Sequence, residues 1–377
     1  MNTHTMPSER MHFMDRLRGV LMALGVAIHA AMAFDTGRQW VVSDPSGHPA
    51  FGIVVNVIHL YRMPLFFLVS GYFTCLLYDK YSVSQFLRGR ALRIVVPFLA
   101  TLLTANTMLI LVFEASHLRT VTIAHWIGPL WFLAYLYAYL SVFSLSMRWG
   151  DSLRIPAAMT ERLCTTNWRW PAIMAAFVVA FVAVRSIVKL CGLWDTVWIG
   201  FVDAFDFLEY SVYFAAGLLM YRSRAFFDAM TRANVAIAIS ALATLLVFVG
   251  QHHFGWPNLG DGLLHYLLQK AAVVLGAAVV MTTFRKTCDA DSPGARFFAD
   301  ASYTIYLLHG PFLVGFATLL LPVALPALIK FVMLVAFTLA CTLALHAWII
   351  ARAPLLTLLF NGKIVRARGA EQELRSF

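Results

Sequence analysis

Long apolar runs alternate along the chain with short segments rich in arginine, lysine and polar residues. A helix needs about 20 residues to cross a bilayer, and runs of that length with few charges are too apolar for the core of a small soluble domain. The pattern predicts ten spans, at 17–35, 50–77, 94–114, 127–147, 171–190, 197–220, 233–251, 262–284, 302–321 and 327–351.

Composition points to the same fold class. Of 377 residues, 60% are hydrophobic and 13% charged, against about 45–50% and about 25% in ordinary soluble domains. These values exclude a soluble cytosolic enzyme, a disordered chain and a disulfide-rich secreted module. We therefore predict an all-α, polytopic membrane helical bundle, forming one integral-membrane domain over 1–377.

The distribution of basic residues predicts how the bundle is oriented. With the N-terminus inside, 22 of the 29 lysines and arginines lie in cytoplasmic segments, as the positive-inside rule requires. Both termini are then cytoplasmic, with a short tail at 361–377. The same rule accounts for the net charge of +10 without nucleic-acid binding. A cleaved signal peptide over 20–33 is an alternative interpretation of the first apolar run.

Familiar metal, nucleotide and hydrolase motifs are absent from the sequence. The five cysteines are scattered and form no CxxC pair, so we expect neither a disulfide framework nor a metal site. No P-loop, HExxH, GxSxG or dinucleotide motif occurs at a usable position. We expect no bound cofactor.

Ionisable residues inside the predicted spans are the strongest functional signal. Each one costs roughly 2.5–3.5 kcal/mol to insert at a helix centre. Snorkelling or simple hydrogen bonding can explain any single case, but a passive bundle does not need so many. We therefore predict a polar cavity between the helices. The residues concerned are Arg18, His29, His59, Arg62, Asp203, Asp206, Glu209, His265, Lys270, His309 and His346.

Two spacings place charged groups on shared helix faces. Arg18 and His29 are eleven residues apart, or three helical turns and about 16 Å. His59 and Arg62 share a face of span two, where Pro64 predicts local unwinding near His59.

Two further clusters lie at the ends of spans. Arg90 and Arg93 share a face just before span three, where they either orient the protein or bind a phosphorylated ligand. In span six, Asp203, Asp206 and Glu209 recur at every third residue and form an acidic stripe in the outer half of the membrane.

Five motifs in order resemble the membrane acyltransferase-3 family. They are Arg18 with His29 (Arg-x10-His), Phe66–Tyr72 (FFLVSGY), Arg90–Arg93 (RALR), Trp131–Leu133 (WFL) and Ser302–His309 (SYTIYLLH). Within that family, the segment MPLFFLVSGYF is most similar to the glucan-biosynthesis protein C branch, whose members succinylate periplasmic glucans.

The resemblance implies transfer of an acyl group, acetyl or succinyl, from cytoplasmic acyl-CoA to a hydroxyl of an extracytoplasmic glycan. It implies a bacterial inner membrane location, with acyl-CoA, the glycan and membrane lipid as partners. His29 is expected as general base or acyl carrier, and His309, His59 and Arg62 orient that base or stabilise the oxyanion. Expected donor-binding residues are Arg18, Arg90 and Arg93, and expected acceptor-binding residues are Asp203, Asp206, Glu209 and Trp131.

Two other functions fit some of the same residues. A transporter or flippase for an envelope glycan or its precursor also needs intramembrane charges, although it predicts related halves that the sequence does not show. A bis-histidine haem or quinone protein would use two of His29, His59, His309 and His346.

Overall fold

A computed structural model describes residues 11–38, 40–115, 122–147, 164, 169–257, 262–290 and 292–364. It is almost entirely helical, which confirms the predicted helical membrane bundle. The first seven helices are α1 (His12–Met32), α2 (Ala50–Tyr78), α3 (Val83–Thr101), α4 (Thr107–Ala115), α5 (Ile123–Ile127), α6 (Trp131–Ser146) and α7 (Arg169–Leu190). The remaining seven are α8 (Ala204–Arg222), α9 (Arg224–Thr231), α10 (Val235–His253), α11 (Gly262–Thr287), α12 (Pro293–Leu320), α13 (Ala327–Trp348) and α14 (Pro354–Asn361).

Short irregular elements join or extend these helices. A short π-helix (Leu102–Asn106) links α3 to α4. One 3₁₀ turn (Gly128–Leu130) precedes α6, and another (Ile350–Arg352) follows α13. Strands β1 (Val197–Trp198) and β2 (Val202–Asp203) form an antiparallel hairpin, with Val197 opposite Asp203. Within the described residues this hairpin is the only sheet.

Each predicted span overlaps one long helix or helix pair, and eight of these are long and apolar enough to cross a membrane. The other two are α1 and α8, which contain more charged residues: Asp15, Arg16 and Arg18 in α1, and Asp206, Glu209 and Arg222 in α8. Both helices with the weaker apolar signal thus also carry residues predicted for the site.

The predicted sixth span, 197–220, begins too early. Its first seven residues form the β1–β2 hairpin, which turns through positive φ angles at Ile199 (47°) and Gly200 (81°). Asp203 then caps α8 by accepting a hydrogen bond from the Asp206 amide at 2.8 Å. Asp203 is thus a helix cap and not the first member of a stripe along the helix.

Unwinding of span two near His59 is also not observed, because α2 runs without a break through Pro64. Helices α2 and α8 pack with their backbones in direct contact. A Cβ at Gly71 would lie 2.1 Å from the Phe214 carbonyl oxygen, and one at Gly217 would lie 1.9 Å from that of Leu68. Small residues permit this close approach, and α2 is therefore fixed at the centre of the bundle.

Candidate active site and its two flanking cavities

His29 lies in the last turn of α1, between two other rings. On one side its imidazole stacks on His309 of α12, with ring centroids 5.3 Å apart and planes inclined by 19°. On the other side lies the Trp40 indole, at 6.3 Å and 14°. His29 is partly exposed, and no described residue hydrogen-bonds its ring nitrogens. Its edge is therefore free to meet a substrate.

His309 is buried and held in one orientation. Its Nδ1 donates to the carbonyl oxygens of Tyr306 at 2.8 Å and Ile305 at 3.1 Å. Since a carbonyl only accepts, the proton sits on Nδ1 and leaves Nε2 as an acceptor. The His309 ring is thus held in place and supports one face of the His29 imidazole.

Arg62 of α2 is buried beside this histidine pair, close enough to interact electrostatically with both rings. Its Nε donates to the Leu21 carbonyl oxygen at 2.9 Å. The guanidinium lies against Gly25, where a Cβ would be only 2.6 Å from Nη2. Within the described part of the chain, no carboxylate forms an ion pair with Arg62. A buried cation of this kind stabilises negative charge that develops near it.

The predicted donor residues Arg18, Arg90 and Arg93 line one cavity of about 170 Å³, here called the basic cavity. Lys363 joins them and pairs with Asp300 at 2.7 Å. The cavity opens at the end of the bundle where α1, α3 and α12 begin, which we call the basic side. The inner wall of the cavity includes Met22 and Phe66. Met22 follows Leu21, whose carbonyl oxygen binds Arg62, and Phe66 lies one turn after Arg62 on α2. Arg62 therefore lies between this cavity and His29.

Local structure explains why Arg90 and Arg93 face the basic cavity together. A capping box of Ser82 and Gln85 starts α3, and the two arginines are three positions apart, which places them on one face of the helix. Tyr303 of α12 donates to the Arg93 carbonyl oxygen at 2.9 Å. Gly362 packs on the same backbone, where a Cβ would lie 2.4 Å from the Arg93 Cα. Arg93 is therefore held by two other segments.

A second cavity, of about 220 Å³, lies beside α2 at His59, Leu60 and Pro64, on the other side of Arg62 from the basic cavity, and we call it the distal cavity. His59, Asp206, Glu209 and Lys270 line it together with several tyrosines. Glu209 forms a buried ion pair with Lys270 and accepts a hydrogen bond from the Tyr266 hydroxyl at 3.0 Å. The cavity is close to the histidine pair, because His59 is within electrostatic range of His29.

Other predicted site residues are placed away from His29. Trp131 stacks on Tyr210 at 5.8 Å and lines neither cavity. His346 hydrogen-bonds Thr304 at 2.9 Å inside the α12–α13 packing. Within the described residues, no group of three histidine, cysteine, aspartate or glutamate side chains is arranged to hold a metal ion.

Two residues of the site were missed by sequence reasoning. Lys363 falls in the segment read as a tail, most of which lies outside the described residues. Trp40 falls in the loop between α1 and α2, and only its aromatic character marks it in the sequence.

The loop that carries Trp40 is anchored by a buried ion pair. Asp44 accepts from the Lys330 Nζ at 2.7 Å, and both side chains are at most 4% exposed. Burial raises the pKa of the Asp44 carboxyl, but hydrogen bonds from Lys330 and Ser46 outweigh it and hold the pKa below its usual value. The carboxylate is thus charged and fixes the loop to α13.

Known proteins resemble the chain over nearly its whole length. Residues 11–347 match the family model described as an acyltransferase domain, acyltransferase-3. Proteins named glucans biosynthesis protein C from Salmonella paratyphi B and Salmonella heidelberg are each 25% identical over 95% of this chain and 96% of their own length. The protein of that name from Salmonella schwarzengrund is 24% identical over the same shares. No solved structure matches the chain.

The matched residues include every motif on which the resemblance was based, from the Arg18–His29 pair to His309. The eight apolar helices agree with a multi-pass membrane protein. The chain therefore belongs to the acyltransferase-3 family of membrane acyltransferases.

Proposed function

We propose that this protein is an O-acyltransferase that moves an acetyl or succinyl group from acyl-CoA to a hydroxyl of an extracytoplasmic glycan. One observation carries the proposal: a cationic cavity and a polar cavity lie on opposite sides of Arg62, with the stacked pair of His29 and His309 beside that arginine. The relatives named for glucan biosynthesis support a glycan as acceptor.

The donor would bind at the basic cavity. Its phosphates are anionic, and guanidinium groups bind phosphate through charge-assisted, often bidentate hydrogen bonds. Carrying those charges across the bilayer would be very costly. Only the slender pantetheine arm therefore enters the bundle, passing Met22 and Phe66 toward Arg62.

The acceptor would come from the distal end. Asp206 and the tyrosines of the distal cavity offer hydrogen-bond partners for hydroxyl groups, and His59 faces the same space. Lys270 neutralises Glu209, which leaves Asp206 as the other carboxylate of the lining, and a carboxylate accepts hydrogen bonds from sugar hydroxyls. On this proposal the basic side is cytoplasmic, and the membrane is the bacterial inner membrane.

His29 would act as general base between the two substrates. It takes the proton from the acceptor hydroxyl while that oxygen attacks the thioester carbonyl carbon. The new C–O bond gives a tetrahedral intermediate whose oxyanion is stabilised by Arg62. When the C–S bond breaks, the coenzyme A thiolate leaves and takes the proton back from His29. An acyl-histidine intermediate is the alternative route through the same residue.

His309 would position the base. Its Nδ1–H is already committed to two backbone carbonyls, so the ring is held in one orientation and fixes the plane of His29. The arrangement needs no cofactor beyond the donor substrate.

The test uses purified protein in lipid nanodiscs, labelled acetyl- and succinyl-CoA, and envelope glucan. We expect release of coenzyme A in step with labelling of the glucan, as an alkali-labile ester. The protein would instead be a transporter if, after reconstitution, it moved glucan across vesicles without acylating it. No coenzyme A release with any acyl-CoA would overturn the proposed donor.

A further inference from the structure

The loop between α1 and α2 places an aromatic ring beside the histidine at the distal end. The Trp40 indole is within 14° of parallel to the His29 imidazole, with ring centroids 6.3 Å apart. Rings in direct face contact are separated by about 3.5–4 Å, so these two rings are nearly parallel but are not in full face-to-face contact. Trp40 is also partly exposed, so part of its side chain is open to a ligand.

The loop holds this ring in place. Lys330 anchors Asp44, whose amide also donates to the Ala33 carbonyl oxygen at 2.8 Å. The Trp40 amide donates to the Ser43 hydroxyl at 3.3 Å. These bonds fix the backbone of the loop that carries Trp40, and a preordered loop favours tight binding.

A pyranose ring fits the chemistry of that surface. Its C–H groups make one face apolar, while its hydroxyls project from the edge. An indole has the largest aromatic face among side chains, with negative charge density toward C–H groups. A sugar lying on the exposed part of Trp40 would thus direct an edge hydroxyl toward the free nitrogens of His29.

We propose that Trp40 is an acceptor-binding residue that holds a pyranose ring beside His29 by stacking. This inference rests on the proposed function, because it assumes that His29 receives a glycan hydroxyl. It adds that recognition uses the ring face of the sugar and not only the hydrogen-bonding groups of the distal cavity.

The experiment compares Trp40→Phe, Trp40→Leu and Trp40→Ala with the wild-type protein in nanodiscs, using labelled acyl-CoA and glucan. Leucine keeps an apolar side chain against His29 but has no aromatic face. We expect Trp40→Leu and Trp40→Ala to raise the glucan KM about tenfold. Trp40→Phe should retain most of the affinity, and the donor KM should not change in any variant.

Trp256→Ala is the matched control, since Trp256 is also an exposed tryptophan, in the loop after α10, but it packs on Gly250 and lines neither cavity. Its glucan KM should stay at the wild-type value. Equal glucan KM values for Trp40→Leu and Trp40→Phe would overturn the stacking role while leaving the proposed function intact. A wild-type protein that acylates no glucan would overturn the proposed function and this inference together.

Discussion

The two cavities differ in how their charges are balanced. Around the basic cavity are Arg18, Arg90, Arg93 and Lys363, with Asp300 as the carboxylate in its lining. Within the described residues, neither Arg90 nor Arg93 forms an ion pair with a carboxylate. In the distal cavity, Glu209 is instead neutralised by Lys270 and hydrogen-bonded by Tyr266.

This difference indicates which ligand each cavity suits. Arginines without carboxylate partners leave their donors available for an anion, and Arg fits phosphate geometry especially well. In the distal cavity Glu209 is satisfied by Lys270 and Tyr266, and Asp206 remains as a hydrogen-bond acceptor, so this space favours a hydroxyl-bearing molecule and not an anion. His29 and Arg62 lie between the two cavities, where the two ligands would meet.

Removing the residue between the cavities should have the largest effect. His29→Ala is expected to lower kcat by about 10²–10⁴-fold, because general-base catalysis contributes roughly that factor. Donor and glucan binding should persist, measured by equilibrium binding in nanodiscs. The control is His125→Ala, at an exposed histidine in the capping box of α5. Near-normal kcat for His29→Ala would show that His29 is not the general base for a reaction between ligands of the two cavities.

The balanced charge of the distal cavity can be broken by one substitution. Glu209→Gln leaves Lys270 buried without a carboxylate, and such a change costs about 3–5 kcal/mol of folding free energy. Thermal unfolding of the purified protein should show a large drop in Tm. The double variant Glu209→Gln with Lys270→Met should recover much of the loss. If the double variant is no more stable than the single one, the pair is not what stabilises this region.

Substitutions in the basic cavity should weaken binding of the donor and leave the stability of the protein unchanged. Arg93→Ala and Arg90→Ala are each expected to raise the acyl-CoA KM about 10–100-fold, the equivalent of roughly 1.5–3 kcal/mol for a charged hydrogen bond. Arg88→Ala is the matched control, because Arg88 lies exposed on the same helix and does not line the cavity. Equal KM values for all three variants would favour a role in membrane orientation alone.

Lys363 should have the smallest effect of the cavity cations. Its ion pair with Asp300 is partly exposed, and such pairs contribute at most about 1 kcal/mol. Lys363→Ala should raise the donor KM by only a few-fold, measured against Lys286→Ala at the exposed end of α11. If Lys363→Ala raised the donor KM as much as Arg93→Ala does, Lys363 would be a principal donor-binding residue. The ammonium group of Lys363 would then bind the donor about as strongly as a guanidinium group at this site.

Most of the fold follows from apolar periodicity, and its failures have physical causes. Each predicted span overlaps a helix because about 20 apolar residues have few other stable arrangements. The start of span six was wrong because the hairpin at Val197–Asp203 is itself apolar, and hydropathy does not distinguish strand from helix there. Pro64 did not unwind α2, because packing against α8 holds both sides of the proline.

The site was only partly predictable. Arg90 and Arg93 share a face at local helix spacing, so their meeting in one cavity follows from sequence. The stacking of His29 on His309 joins residues far apart in the chain. Their position inside apolar spans and the family motifs both indicate the two histidines, but neither signal specifies that they touch. Trp40 depends on the path of a loop, which the apolar pattern does not specify. Asp203, Asp206 and Glu209 were grouped by spacing alone, and the cap at Asp203 separates it from the other two.

The central claim is that donor and acceptor reach His29 from opposite sides of the membrane. The measurement uses sealed vesicles with glucan inside and labelled acyl-CoA added outside. Orientation is read with an impermeant maleimide in a Cys288→Ser variant, because Cys191 is exposed in the distal loop after α7 and Cys288, on the basic side, is partly exposed. Vesicles that enclose Cys191 present the basic side outward, and in these we predict acylation of the enclosed glucan. The account would be contradicted if the glucan were acylated only when it was supplied on the same side as the acyl-CoA.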